Sequence, residues 1–222
     1  MATYYAVPCP DGLRENFAKL VDNFEKGVDE PQNALLIAVA NDYTDKIVEV
    51  MILGNSQSLN PDSFAAKVLN NVAIVVKSTA HTLIKQVLHK MKNQDMAPLT
   101  AQIRARKLVI GANEYISFRV PAALASRYRH CFAAIKAGDV SVRSQFMECM
   151  QEFSLLANHY FYVESVKPLK LGAITRKMVD LGGVTINKAS QAAIKKLIPH
   201  LTIEELQVFV AYLEPFFVEV DV

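Results

Sequence analysis

Lys77, His81, Lys85, His89 and Lys92 follow one another at intervals of four, four, four and three residues. On a helix that spacing gathers them within an arc of about 120°. Such a cation row can track a phosphate backbone, and protonation of its two histidines would strengthen the contact as pH falls. An ordinary solvated helix face carries rows of this kind too. Arg104, Arg106 and Lys107 come next, then Arg119, Arg127, Arg129 and His130, with Tyr115, Phe118 and Tyr128 among them. Cations interleaved with aromatic rings suit single-stranded nucleic acid, whose bases stack while its phosphates are neutralised. The same rings serve equally well as core packing. The expected nucleic-acid contacts are Lys77, His81, Lys85, His89, Lys92, Arg104, Arg106, Lys107 and Arg119.

Other constellations point to other chemistry. Leu169 to Leu181 and Lys188 to Leu197 read as two short helices around Gly182-Gly183, a loose helix-turn-helix. Its second helix would present Asn187, Lys188, Gln191, Lys195 and Lys196 to base edges and phosphates. Asp42, Asp45 and Glu49 share one side of a helix, where carboxylates could hold Mg²⁺; the opposite face is apolar, so a solvated stripe explains them as well. Cys131 follows His130, a conceivable nucleophile and base, but neighbouring helical residues point apart. Cys149 falls on an apolar stripe and reads as an inert core thiol. No C-x-x-C, H-E-x-x-H, G-x-S-x-G, G-x-x-x-x-G-K-[ST] or G-x-G-x-x-G occurs, so no metal or cofactor is expected.

The elements that must carry these groups are mostly helical. Leu13, Phe17, Leu20, Val21 and Phe24 recur at helical spacing, with Gly27 as a terminator. Residues 32 to 53 form a second, more buried helix. Asn60 caps a third, which has Pro61 at its first position and runs to about Lys92, with a candidate break at Ser78. Residues 98 to 107 fit helix or strand. Ile116, Phe118 and Val120 alternate with polar neighbours, and Gly111-Ala112-Asn113 can turn the preceding segment into a hairpin partner over 108 to 120. Pro121 opens a helix that stops at Gly138. Val142, Phe146, Cys149, Met150, Phe153, Leu156, Ala157 and Tyr160 make the cleanest helical stripe in the chain. Thr202 and Glu205 spell a capping box for a last helix, and Phe216 to Val222 alternates like a short strand.

Charge is unevenly distributed, although the net is only +2 over 222 residues. Residues 1 to 65 carry ten acids and four bases, residues 66 to 199 twenty bases and seven acids, and residues 200 to 222 five acids and no Lys or Arg. A basic middle between acidic ends suits a polyanion or an acidic protein surface, unless the ends fold back on the middle. Apolar residues at 51% and charged residues at 21% are the balance of a globular chain. No run is long enough to span a bilayer, no basic-then-apolar leader opens the chain, and three unpaired cysteines argue against a disulfide framework. Cytoplasmic residence, without a membrane, is therefore expected.

The combined expectation is a mainly α, multi-helix bundle over residues 1 to 222, with a minor hairpin near 108–120, a short C-terminal strand and a candidate sub-boundary at 165–172. Its expected function is non-enzymatic binding and assembly. It would self-associate or join other subunits and bind a polyanion, RNA or single-stranded DNA favoured, through the basic middle. The alternatives are a small-molecule enzyme with a site between helices and a helix-turn-helix regulator.

Overall fold

A computed structural model of the chain describes residues 1–221. Thr3, Tyr4, Tyr5 and Val7 are strand-forming types, and they build β1 (Ala2–Pro8), closed off by Pro8 and Pro10. Helix α1 (Asp11–Glu25) follows, then α2 (Asn33–Val48), which continues through a π-turn (Glu49–Leu53) into α3 (Gly54–Ser58). Next come α4 (Phe64–Leu88), α5 (Asn93–Arg104), β2 (Lys107–Ile110), β3 (Asn113–Arg119) and α6 (Ala122–Lys136). Helix α7 (Arg143–Asn158) runs through a second π-turn (His159–Val163) into α8 (Glu164–Val166). The chain finishes with α9 (Ala173–Leu197), α10 (Ile203–Leu213) and β4 (Phe217–Val220). The fold is mainly α, as the helical periodicities require.

The strands form one antiparallel sheet in the order β2-β3-β1-β4. Its centre is β1, a strand that the periodicities do not disclose, because its seven residues end on Pro8 and show no clear alternation. Tyr5 sits directly opposite Phe118 of β3 and Phe217 of β4, so a row of three aromatic rings crosses the sheet. Cross-strand aromatic pairs of this kind lock register. The ring of Phe153, from the apolar stripe of α7, lies 4.8 Å from Tyr5, 5.6 Å from Phe118 and 5.5 Å from Phe217.

Several local expectations are corrected. Ser63, not Asn60, caps α4: its hydroxyl accepts from the Ala66 amide, while Asn60 closes the preceding turn by accepting from Asp62. Helix α4 passes Ser78 unbroken, since that hydroxyl bonds back to the Val75 carbonyl and leaves the helix intact. Residues 98 to 104 are helical, with Pro98 inside α5. The hairpin, the C-terminal strand and the reciprocal Thr202–Glu205 capping box all form. Val222, included in the expected strand, lies outside the described residues.

Phe146 and Phe153 are buried on α7, among residues of a core that extends from Tyr5 to Leu213. Replacing either with alanine is expected to cost about 3–5 kcal/mol of unfolding free energy, read from urea melts. A loss below about 1 kcal/mol would show that α7 does not organise the core.

Candidate interaction face

The structure divides the expected cation row. Lys77 and His81 of α4 both reach Oδ1 of Asp45 on α2, at 3.1 and 2.8 Å. Lys85, His89 and Lys92 are exposed and make no ion pair among the described residues. The carboxylate trio is dispersed by the same contacts. Asp45 is held by α4, Glu49 pairs with Lys46 at 3.0 Å, and no three metal-ligating side chains cluster among the described residues.

Around the hairpin most cations already have partners. Arg104 pairs with Glu25 at 2.6 Å and Lys107 with Glu114 at 2.6 Å. Arg106 lies 4.7 Å over the Tyr160 ring and donates from Nε to the Tyr160 carbonyl. Arg127, Arg129 and Lys136 pair with Glu152, Glu219 and Glu214. Of the expected contacts there, Arg119 alone is exposed with no ion pair among the described residues. Phe118 and Tyr128 are core residues, so their faces are closed to any base, and Tyr115 is half-buried. The acidic ends do fold back on the basic middle: Glu25, Asp45, Glu214 and Glu219 each meet a cation from residues 66 to 199.

No helix-turn-helix forms between 169 and 197, because α9 is a single helix of 25 residues. Gly182 and Gly183 lie inside it, where they admit neighbours instead of making a turn. A Cβ at Gly182 would run into Leu83 of α4, and one at Gly183 would lie 2.8 Å from the Tyr162 ring. At the other end of the pair, Lys196 of α9 sits 5.3 Å from the ring of Phe64 on α4. The two longest helices are therefore antiparallel neighbours.

Their outer surface was not foreseen as a unit. The exposed residues of α4 fall within one arc of about 160°, as do those of α9. That surface carries Lys67, Lys85, Lys177, Lys188, Lys195 and Lys196, none with an ion pair among the described residues. The same two arcs carry Ile74 at 65% exposure, Ile174 at 81% and Leu181 at 58%, with Val75 and Val184 also open. Asp180 is the lone acid in the two helices. The sequence signal was present, as a near absence of acids through both segments. It was split by the expected breaks at Ser78 and at the glycine pair.

Two of the three thiols lie in the core. Cys131 and Cys149 are buried side by side between α6 and α7, and burial pushes the Cys131 thiol up to about 12 and the Cys149 thiol upward as well. A thiol that stays protonated is a poor nucleophile. The chain matches no protein-family model, no curated protein and no solved structure.

Gly182→Val is expected to lower stability by about 1–3 kcal/mol, since the added side chain must displace Leu83 or Tyr162. The double substitution Lys85→Glu, Lys188→Glu is expected to shift stability by less than about 0.5 kcal/mol per site. Urea melts of both variants check the distinction between the packed and the open sides of this helix pair.

Proposed function

We propose that the chain is a non-enzymatic binding and assembly protein whose working surface is the outer face of α4 and α9. What supports this reading is the mixture on that face: lysines without ion pairs interleaved with large exposed aliphatic side chains. An apolar patch with a charged surround is the composition of a protein-binding surface, where aliphatic groups supply affinity and charge selects the partner. The partner surface must be acidic. Pairing this face with itself would set lysine against lysine, so the contact joins two different surfaces. The chain carries a candidate counterpart in Glu15, Asp29 and Glu30, exposed on α1 and the loop after it, while Asp11, Asp22 and Glu25 beside them already pair with Arg14, Lys26 and Arg104. Self-association would then run head to tail, the acidic side of one copy on the basic side of the next.

Nucleic acid remains the competing occupant, since the same lysines can neutralise phosphates. It is less favoured because two of the rings that would stack on bases are interior. An enzyme is less favoured too. The clearest titration shifts belong to phenols and thiols that burial keeps neutral, not to a poised acid and base.

Light scattering between about 50 and about 500 mM NaCl tests this reading. Oligomers at low salt that dissociate as salt rises, and that are lost in Lys85→Glu, Lys188→Glu, are the expected result. A monomer at every salt concentration overturns self-association. Fluorescence anisotropy with a labelled single strand then decides whether the face takes a polyanion instead: salt-dependent binding, abolished by the same double substitution, would assign it to nucleic acid.

A further inference from the structure

The sheet has two faces, and they are both apolar. Tyr5, Val7, Ile116, Phe118 and Phe217 share one face and pack into the core, with Phe153 of α7 and Tyr128 of α6 against them. The alternate residues of each strand point the other way. On that second face register sets Leu108 opposite Tyr115 and Tyr4 opposite Val218, with Ile110 and Val220 at the far ends of the two edge strands. Each of these six side chains is half-buried, and none packs against the core.

A sheet with one face on a core ordinarily alternates apolar inward and polar outward, so that its free face meets water. Here the pattern is inverted. Lys107, Glu114 and Glu219 stand on the covered face, in register with Ile116, Val109 and Thr3, while the outward positions of β2 and β4 are all aliphatic. The missing alternation of β1 has the same origin: a strand that is apolar on both faces reads as a strand covered on both. Four strands about 4.8 Å apart and about 20 Å long make a plate of about 400 Å². A contiguous, mainly apolar area of that size marks an interaction site on a single chain.

We infer that this face is a dimerisation surface, packed against the same face of a second copy. Charge selects the occupant. The strand residues on this face include one charged side chain, Arg119, at the last position of β3. It is exposed and has no ion pair among the described residues, and its long stem lets the guanidinium stay in water at the rim. Nucleic acid requires several cations, and a charged protein surface requires the opposite charge; this face offers neither. An apolar, almost uncharged surface is complementary to itself, and a two-fold axis places the same patch on both partners. Twisted antiparallel sheets pack in this way at about −30°, their side chains interdigitating. Two such plates remove about 800 Å² in plan, plus the relief of their side chains, which is the small end of specific interfaces and gives a reversible dimer. The surface lies on different elements from the α4–α9 outer face, and the inference stands without that face. Growth through the charged contact at low salt would then start from this dimer.

Sedimentation equilibrium in about 500 mM NaCl, where contacts between exposed charges are screened, tests the assignment. The mass is expected to rise from monomer to dimer as protein increases from about 1 to about 100 µM, and to do so equally in Lys85→Glu, Lys188→Glu. Leu108→Glu, Val218→Glu sets like charges across the two-fold contact and is expected to weaken the dimer by at least about tenfold. Its circular dichroism should be unchanged, because neither side chain packs on the core. If that variant does not fold, Ile110→Lys, Val220→Lys replaces it. A monomer at every concentration overturns the inference, as does a dimer that persists undiminished in a folded variant of the face. Loss of the dimer in Lys85→Glu, Lys188→Glu also overturns it, and assigns the contact to the outer face of α4 and α9.

Discussion

The ring of Phe153 touches three strands at once, because Phe118, Tyr5 and Phe217 stand in register across β3, β1 and β4. Those residues come from the start, the middle and the end of the chain, so one helical side chain gathers segments more than 200 positions apart. The rest of the structure is placed relative to that junction. With α7 fixed on the sheet, Gln191 bonds the Gln151 carbonyl and Tyr162 bonds the Val179 carbonyl, which sets α9 alongside it. The glycine pair of α9 then admits Leu83 and so draws in α4. Asp45 finally ties α2 to α4 through Lys77 and His81.

That order of attachment explains the distribution of charge. Cations on the sheet side and on the inner flank of α4 lie where acids from the chain ends arrive, and they pair there. Pairs of this exposed type contribute little to stability individually. Their larger consequence is to remove charge from one part of the surface and leave it on another. The lysines of α4 and α9 that point outward have no acid within reach on their own helices except Asp180. The basic middle of the chain thus becomes a basic face on one helix pair.

The same packing leaves a half-open cavity between α2, α4, α7, α9 and α10. Two helices that each change pitch through a π-turn cannot stay in continuous ridge-and-groove contact with their neighbours. The mismatch falls at Met51–Ile52 and Phe161–Tyr162, which line the same space. Tyr5 reaches that space because it stands at the centre of the sheet, where it serves both as a core ring and as the bearer of an unpartnered hydroxyl.

The sequence by itself determined the elements whose residues report on their own neighbours. The stripe from Val142 to Tyr160, the Thr202–Glu205 box, the hairpin turn at Gly111 and the alternation of the last strand are local patterns, and each formed. Lys85, His89, Lys92 and Arg119 were legible as cations, but their freedom was not, since Lys77 and Arg104 differ from them only in having Asp45 and Glu25 nearby in space. Tertiary structure alone decided β1 at the sheet centre, because a strand of seven residues is specified by its partners and not by its own period. It also decided the meaning of Gly182-Gly183. Glycine signals backbone freedom or close approach with equal force, and only the presence of Leu83 and Tyr162 selects the second. The cavity was beyond the sequence for the same reason: a void is defined by the mutual placement of residues that are far apart along the chain.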